Sequence, residues 1–120
     1  MAESVIKGHD FLQDSKTVTL GTTVEYITLG SVTIPSNGLY LIIGRAETNY
    51  SDASETQSVV LKKGTTTLCV GRTTGTGGGG VCLSDIVSLS ANDVVIVQMR
   101  NGGSHSGKTF IGAIRAYKLK

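Results

Sequence analysis

The stretch Gly102-Gly103-Ser104-His105-Ser106-Gly107-Lys108-Thr109 satisfies the spacing G-x-x-x-x-G-K-[ST]. In a phosphate-cradling loop, the glycine-rich backbone would hold a β-phosphate, Lys108 would reach the terminal phosphates and Thr109 would ligate Mg²⁺. That chemistry needs a helix directly after the loop, with its N-terminus aimed at the phosphates. The residues that follow, Phe110 to Lys120, include a glycine, two isoleucines and two aromatics, which suits a strand. They leave no chain for a parallel sheet or for a downstream magnesium-binding Asp. The expectation is a Gly/Ser hairpin loop leading into a strand.

Other reactive residues are sparse. His9 and His105 are the two histidines, and neither has a metal-ligand spacing such as HExxH. No G-x-S-x-G elbow offers a serine nucleophile, and the carboxylates form no pair suited to glycosidic acid/base work. Asn49-Tyr50-Ser51 has the form of a glycosylation sequon and reads as part of a loop. Cys69 and Cys82 would face each other if residues 66–70 and 81–85 formed a hairpin pairing Val70 with Val81. They would then be close enough to bridge. Two half-buried thiols in a reducing cell are the alternative. Two cysteines without further ligands make no zinc site. The expectation is therefore a non-enzyme without cofactor or metal.

The elements that would position these residues are strands. The chain of 120 residues is one domain's worth; it is 39% apolar and 17% charged, with a net charge of +2, neither disordered nor coiled-coil in composition. The basic residues are scattered, which argues against nucleic acid as a partner. The longest apolar runs are about five residues, far short of the roughly 20 that a membrane helix needs, so no membrane insertion is expected. No signal peptide is visible at the N-terminus. Thr and Ser number 27, Val and Ile are frequent, and Gly, Asn, Asp and Ser punctuate short apolar stretches. The predicted strands are 16–20, 26–34, 38–47, 57–62, 66–71, 80–83, 85–89, 93–99 and 108–118. Eight or nine short strands point to an all-β sandwich or barrel. The domain is expected to span residues 16–120, with residues 1–15 a docking arm or a first strand.

Two stretches, Leu39 to Ile43 and Val94 to Val97, are apolar on both faces. A strand of that kind needs cover on its outer side as well, which oligomerisation or a folded-over loop would supply. Pro35-Ser36-Asn37-Gly38 reads as a tight turn. Arg72 to Gly80 and Asn101 to Gly107 read as loops, with Gly77, Gly78, Ser104 and His105 as candidate exposed binding positions.

Taken in order, four segments resemble the jelly roll shared by tumour necrosis factor and the globular head of the first complement component. Val32-Thr33-Ile34-Pro35-Ser36-Asn37-Gly38-Leu39-Tyr40-Leu41 resembles the family's "v-P-x-x-G-x-Y" entry to a central strand. Val59 to Gly64 is similar to its "v-x-L-x-k-n-G" hairpin. Leu89-Ser90-Ala91-Asn92-Asp93-Val94-Val95-Ile96 resembles "L-x-x-G-D-x-V-x-v", with Asn92 at the glycine position. Asn tolerates left-handed φ better than most residues, so this turn can survive. Thr109-Phe110-Ile111-Gly112-Ala113-Ile114 resembles the closing "s-F-x-G-x-x-l" strand. The resemblance implies a TNF-like jelly roll of about 8–10 antiparallel strands that forms a homotrimer. It implies that Tyr40, Phe110, Gly112 and Ile114 lie in the core or at the subunit seam.

Small size and high Ser/Thr/Gly content fit a phage or prophage surface module: a tail- or head-fibre tip or capsid decoration at the virion surface, made in the host cytoplasm. Its partners would be itself, a larger virion or cell-surface assembly, and a host-surface glycan or protein. A bacterial cell-surface or spore-coat head, or a lectin-like carbohydrate-binding module, is the alternative.

Overall fold

A computed structural model describes residues 11–48, 57–73 and 79–120. These residues contain eight strands and no helix: β1 (Phe11–Thr19), β2 (Glu25–Thr33), β3 (Gly38–Thr48), β4 (Ser58–Lys63), β5 (Thr66–Arg72), β6 (Gly80–Leu89), β7 (Val94–Asn101) and β8 (Thr109–Lys118). Two four-stranded antiparallel sheets result. The first has the order β1-β8-β3-β6 and the second β2-β7-β4-β5. Of the consecutive pairs only β4 and β5 form a hairpin; every other connection passes from one sheet to the other.

Alternation explains the packing. In β8, Phe110, Gly112, Ile114 and Ala116 are buried, while the residues between them are not. In β7 the same holds for Val95, Val97 and Met99. Period-two patterns of this kind put one face of each sheet inward, and the inner faces share one core that includes Leu29, Ile34, Ile42 and Leu61. Tyr40 is buried with its hydroxyl satisfied, since it donates to Ser36 O at 2.8 Å. Tyr40, Phe110, Gly112 and Ile114 are all core residues.

Of the two alternatives for residues 1–15, residues 11–15 follow that of a first strand, since Phe11 to Ser15 pair with Tyr117 to Ala113 and β1 runs on past residue 15 to Thr19. Several expectations are corrected. Residues 80–83 and 85–89 are one strand, since Ser84 and Asp85 continue the ladder against Ile43 and Ile42. The segment 102–108 is no hairpin loop: β7 lies in the second sheet and β8 in the first. The hairpin that would have opposed Cys69 and Cys82 does not form. Cys69 pairs across from Leu61 in the second sheet, Cys82 across from Arg45 in the first, and both thiols are free.

The turns follow their residues. Asn92 has φ 74° and Gly64 φ 58°, so a left-handed asparagine stands where the resembled pattern has glycine. That turn is fixed by Asp93 Oδ2, which accepts from Ser90 N at 2.8 Å, and by Asn92 N donating to Ile34 O at 2.7 Å. At the opposite end, Asn101 is buried. Its Nδ2 donates to Gly21 O at 3.1 Å and its Oδ1 accepts from Gly103 N at 2.9 Å. One side chain thus ties the β1–β2 connection to the β7–β8 crossover. Asn101→Leu keeps the volume but strands both backbone partners. It should cost about 1–3 kcal/mol, read as a lower urea midpoint at unchanged m-value.

Candidate interaction face

Strand register decides what the outer face of the first sheet presents. Phe11 lies opposite Tyr117, Tyr117 opposite Leu41, and Leu41 opposite Ile86. One apolar row therefore crosses all four strands on the outward side. The Phe11 and Tyr117 rings stack at 4.9 Å between centroids and 29° between planes. Ile86 is 59% exposed. Leu39 and Ile43 extend the patch along β3, and the exposed Leu119 is held beside Leu39 by its amide donating to Leu39 O at 2.7 Å. Together these residues form a contiguous apolar patch on the outer face, the kind of surface that can mark an interaction site.

The other half of the same face is polar. Moving from the apolar row toward the β8 N-terminus, the next rows are Gln13, Arg115, Ile43 and Ser84, then Ser15, Ala113, Arg45 and Cys82, then Thr17, Ile111, Glu47 and Gly80. Small side chains at Ser15 and Ala113 leave a depression of about 410 Å³ walled by Gln13, Arg45 and Arg115. A second hollow of about 250 Å³ lies on the other side of Arg45, against Glu47, Gly80 and Cys82. Among the described residues, Arg45, Arg115 and Glu47 make neither an ion pair nor a side-chain hydrogen bond.

The remaining candidates sit elsewhere. Ser104 is exposed and His105 half-buried on the β7–β8 crossover, with Ser104 Oγ 3.3 Å from His105 Nδ1. The backbone of that crossover is committed to the β1–β2 connection: Gly107 N donates to Leu20 O at 2.9 Å, and Lys108 O accepts from Leu20 N at 2.8 Å. A strand, β8, follows where a phosphate-binding loop needs a helix. Gly77 and Gly78 lie outside the described residues, as do His9 and the Asn49 sequon. Their flanks are anchored, however. Thr48 Oγ1 accepts from Gly79 N at 3.0 Å, and the buried Thr73 Oγ1 accepts from Gln57 N at 2.9 Å while donating to Gln57 Oε1 at 3.1 Å. Cys69 points inward and its thiol donates to Ser84 O at 3.2 Å. Burial, and secondarily the charge of Asp85, pushes the Cys69 thiol pKa up, so it is held as the unreactive thiol rather than the thiolate. Among the described residues no group of His, Cys, Asp and Glu could hold a metal ion.

No family model matches the chain, and no curated protein matches it in sequence. Solved structures do match in shape. Murine APRIL superposes with a TM-score of 0.55 at 17% identity, over 87% of this chain and 96% of that one. The globular domain of zebrafish complement 1qA protein gives 0.56 at 13% identity, over 75% and 69%. Eiger TNF from S. frugiperda gives 0.54 at 15% identity, over 96% and 88%. The fold is the jelly roll of the tumour necrosis factor and complement head structures. At these identities the likeness concerns the fold. Within this jelly roll the sequence segments that carried the resemblance fall where they should: Pro35 before β3, Gly64 in the β4–β5 hairpin, Asn92 before β7 and Phe110 in β8. The resemblance missed the apolar row. Phe11 and Tyr117 are far apart in sequence, and only the β1–β8 register makes them neighbours.

Proposed function

We propose that this chain is a non-enzymatic binding and assembly module that associates with copies of itself as a trimer through the outer face of its first sheet. The single observation that carries the reading is the row Phe11, Tyr117, Leu41 and Ile86. These residues lie on the side of the sheet away from the core, and burying them against another copy removes apolar surface from water at about 25 cal/mol per Å². The jelly-roll likeness adds support for a trimer. The end of the sandwich that carries Ser104 and the flanks Thr73 and Gly79 would then be free for a partner. The wider reading is a surface component of a virion, such as a fibre tip or capsid decoration; the Ser, Thr and Gly content supports it as it would a bacterial surface or spore-coat head.

Light scattering on the purified chain tests the association. The expected mass is about three times 12.5 kDa. Tyr117→Glu combined with Ile86→Glu places two charges in the row without touching the core, and should yield a folded 12.5 kDa species. A wild-type chain that stays at that mass at tens of micromolar overturns the proposal. For the surface role, antibody raised to the folded domain should decorate intact particles or cells; labelling of disrupted material alone would refute it.

A further inference from the structure

We propose that Arg45 and Arg115 form a receptor for a carboxylate of a second copy of this chain, and that this carboxylate is Glu47. The inference rests on the self-association reading and gives it a register.

The two arginines are diagonal neighbours: Arg45 lies opposite Ala113, and Arg115 lies two residues further along β8, opposite Ile43. Such positions are roughly 7–8 Å apart, so two positive charges share one depression, which Asp14 also lines, and among the described residues neither arginine makes an ion pair within its own chain. In water this costs little. Covering the face with another copy displaces that water, and an unpaired guanidinium is then strongly disfavoured. The apolar row and the arginine pair occupy the same face, so a copy seated on the one approaches the other. Assembly through this face therefore requires carboxylates in the depression.

The outward side of the first sheet supplies one. Asp14 and Asp85 are on inward positions, and Asp14 Oδ2 is committed to Ser31 N at 3.0 Å. Among the described residues Glu47 is the carboxylate that faces outward, beside Gly80, whose missing side chain leaves it room. Glu47 is two residues from Arg45 on one face of β3, a separation of about 6.6 Å along the strand. It makes no pair with Arg45 in its own chain. A neighbouring copy that sets its Glu47 row beside the Arg45 row brings its Glu47 against Arg45, with Arg115 completing the cradle. In a closed ring each copy gives one carboxylate and receives one. The apolar row then supplies attraction, and the charged half fixes how the copies align, since a slipped register would set arginine against arginine.

Sedimentation velocity at fixed salt on wild type, Arg45→Glu, Glu47→Arg and the double swap Arg45→Glu/Glu47→Arg tests this. Both positions of the charge exchange, residues 45 and 47, are on the outer face, so each variant should keep the wild-type melting temperature of its monomer. Each single reversal should weaken assembly about 100-fold, and the swap should recover it to within about tenfold of wild type. An oligomeric wild type indifferent to the reversals, or a swap no better than either single variant, overturns the pairing and leaves the self-association reading standing. A wild type that is monomeric at every concentration overturns both.

Discussion

Phe110→Asp is expected to leave the chain unfolded. Phe110 is 1% exposed on the inner face of β8, between Val18 of β1 and Thr48 of β3. Deleting the ring alone would cost about 3–5 kcal/mol, from lost transfer energy and from the cavity left behind. The aspartate adds a carboxylate to the buried hydrophobic cluster, worth several kcal/mol more unless it stays protonated. Together these reach the whole stability of an ordinary domain, about 5–15 kcal/mol. The expected result is loss of the β signal in far-ultraviolet circular dichroism and of any cooperative thermal transition. Phe110→Leu, which keeps most of the apolar volume, should retain both at a lower melting temperature. A folded Phe110→Asp chain with the wild-type transition would remove Phe110 from the core.

Much of the scaffold was legible because local rules set it. The hairpin around Gly64, the left-handed turn at Asn92 and the long central strand from Gly38 each follow from a glycine, an asparagine or an apolar run that acts over a few residues. What failed was long-range. Ser84 and Asp85 look like turn punctuation, yet β6 runs through them because β3 offers a continuous ladder. Cys69 and Cys82 are near in sequence, but the connection between β5 and β6 crosses from one sheet to the other, so proximity along the chain says nothing about pairing. The phosphate-loop spacing is real as a pattern and has no helix to aim.

The interaction face shows the same division. The doubly apolar stretch Leu39 to Ile43 announced that one strand needs cover on its outer side. It could not announce Phe11, Ile86 or Tyr117, whose alignment with Leu41 depends on three separate registers. Nor could it show that the residues bearing the family's motif, Tyr40, Phe110 and Ile114, would all turn inward. A motif identifies the residues that make the fold, and in a jelly roll those are core residues. The surface proposed to meet a partner is written on the alternate positions, where the motif is silent.

Gly112→Val should be nearly as damaging as the buried charge, for a steric reason. Gly112 is buried on the inner face of β8, opposite Lys16 on one side and Ala46 on the other. Here the second sheet approaches closely. A Cβ at residue 112 would run into Leu29 Cβ, and would lie 2.9 Å from Arg45 O and 3.0 Å from Leu29 Cδ1. Neither Leu29 Cβ nor the Arg45 carbonyl is the loose end of a side chain. Both are fixed by their strands, so relief requires the sheets to part. Overpacking of a well-filled core costs about 1–3 kcal/mol for added methylenes, and more where backbone must move. Gly112→Ala should therefore lose on the order of 3 kcal/mol, and Gly112→Val, with two further methyl groups, should fail to fold. Leu29→Ala would not relieve the clash, because the contact is with Leu29 Cβ, which alanine keeps; Leu29→Gly in the Gly112→Ala background should. Partial recovery of the denaturation midpoint in that double variant, relative to what the two single losses would sum to, is the signature of direct contact. Strict additivity would mean that residues 29 and 112 do not meet, and that the two sheets are not packed through this glycine.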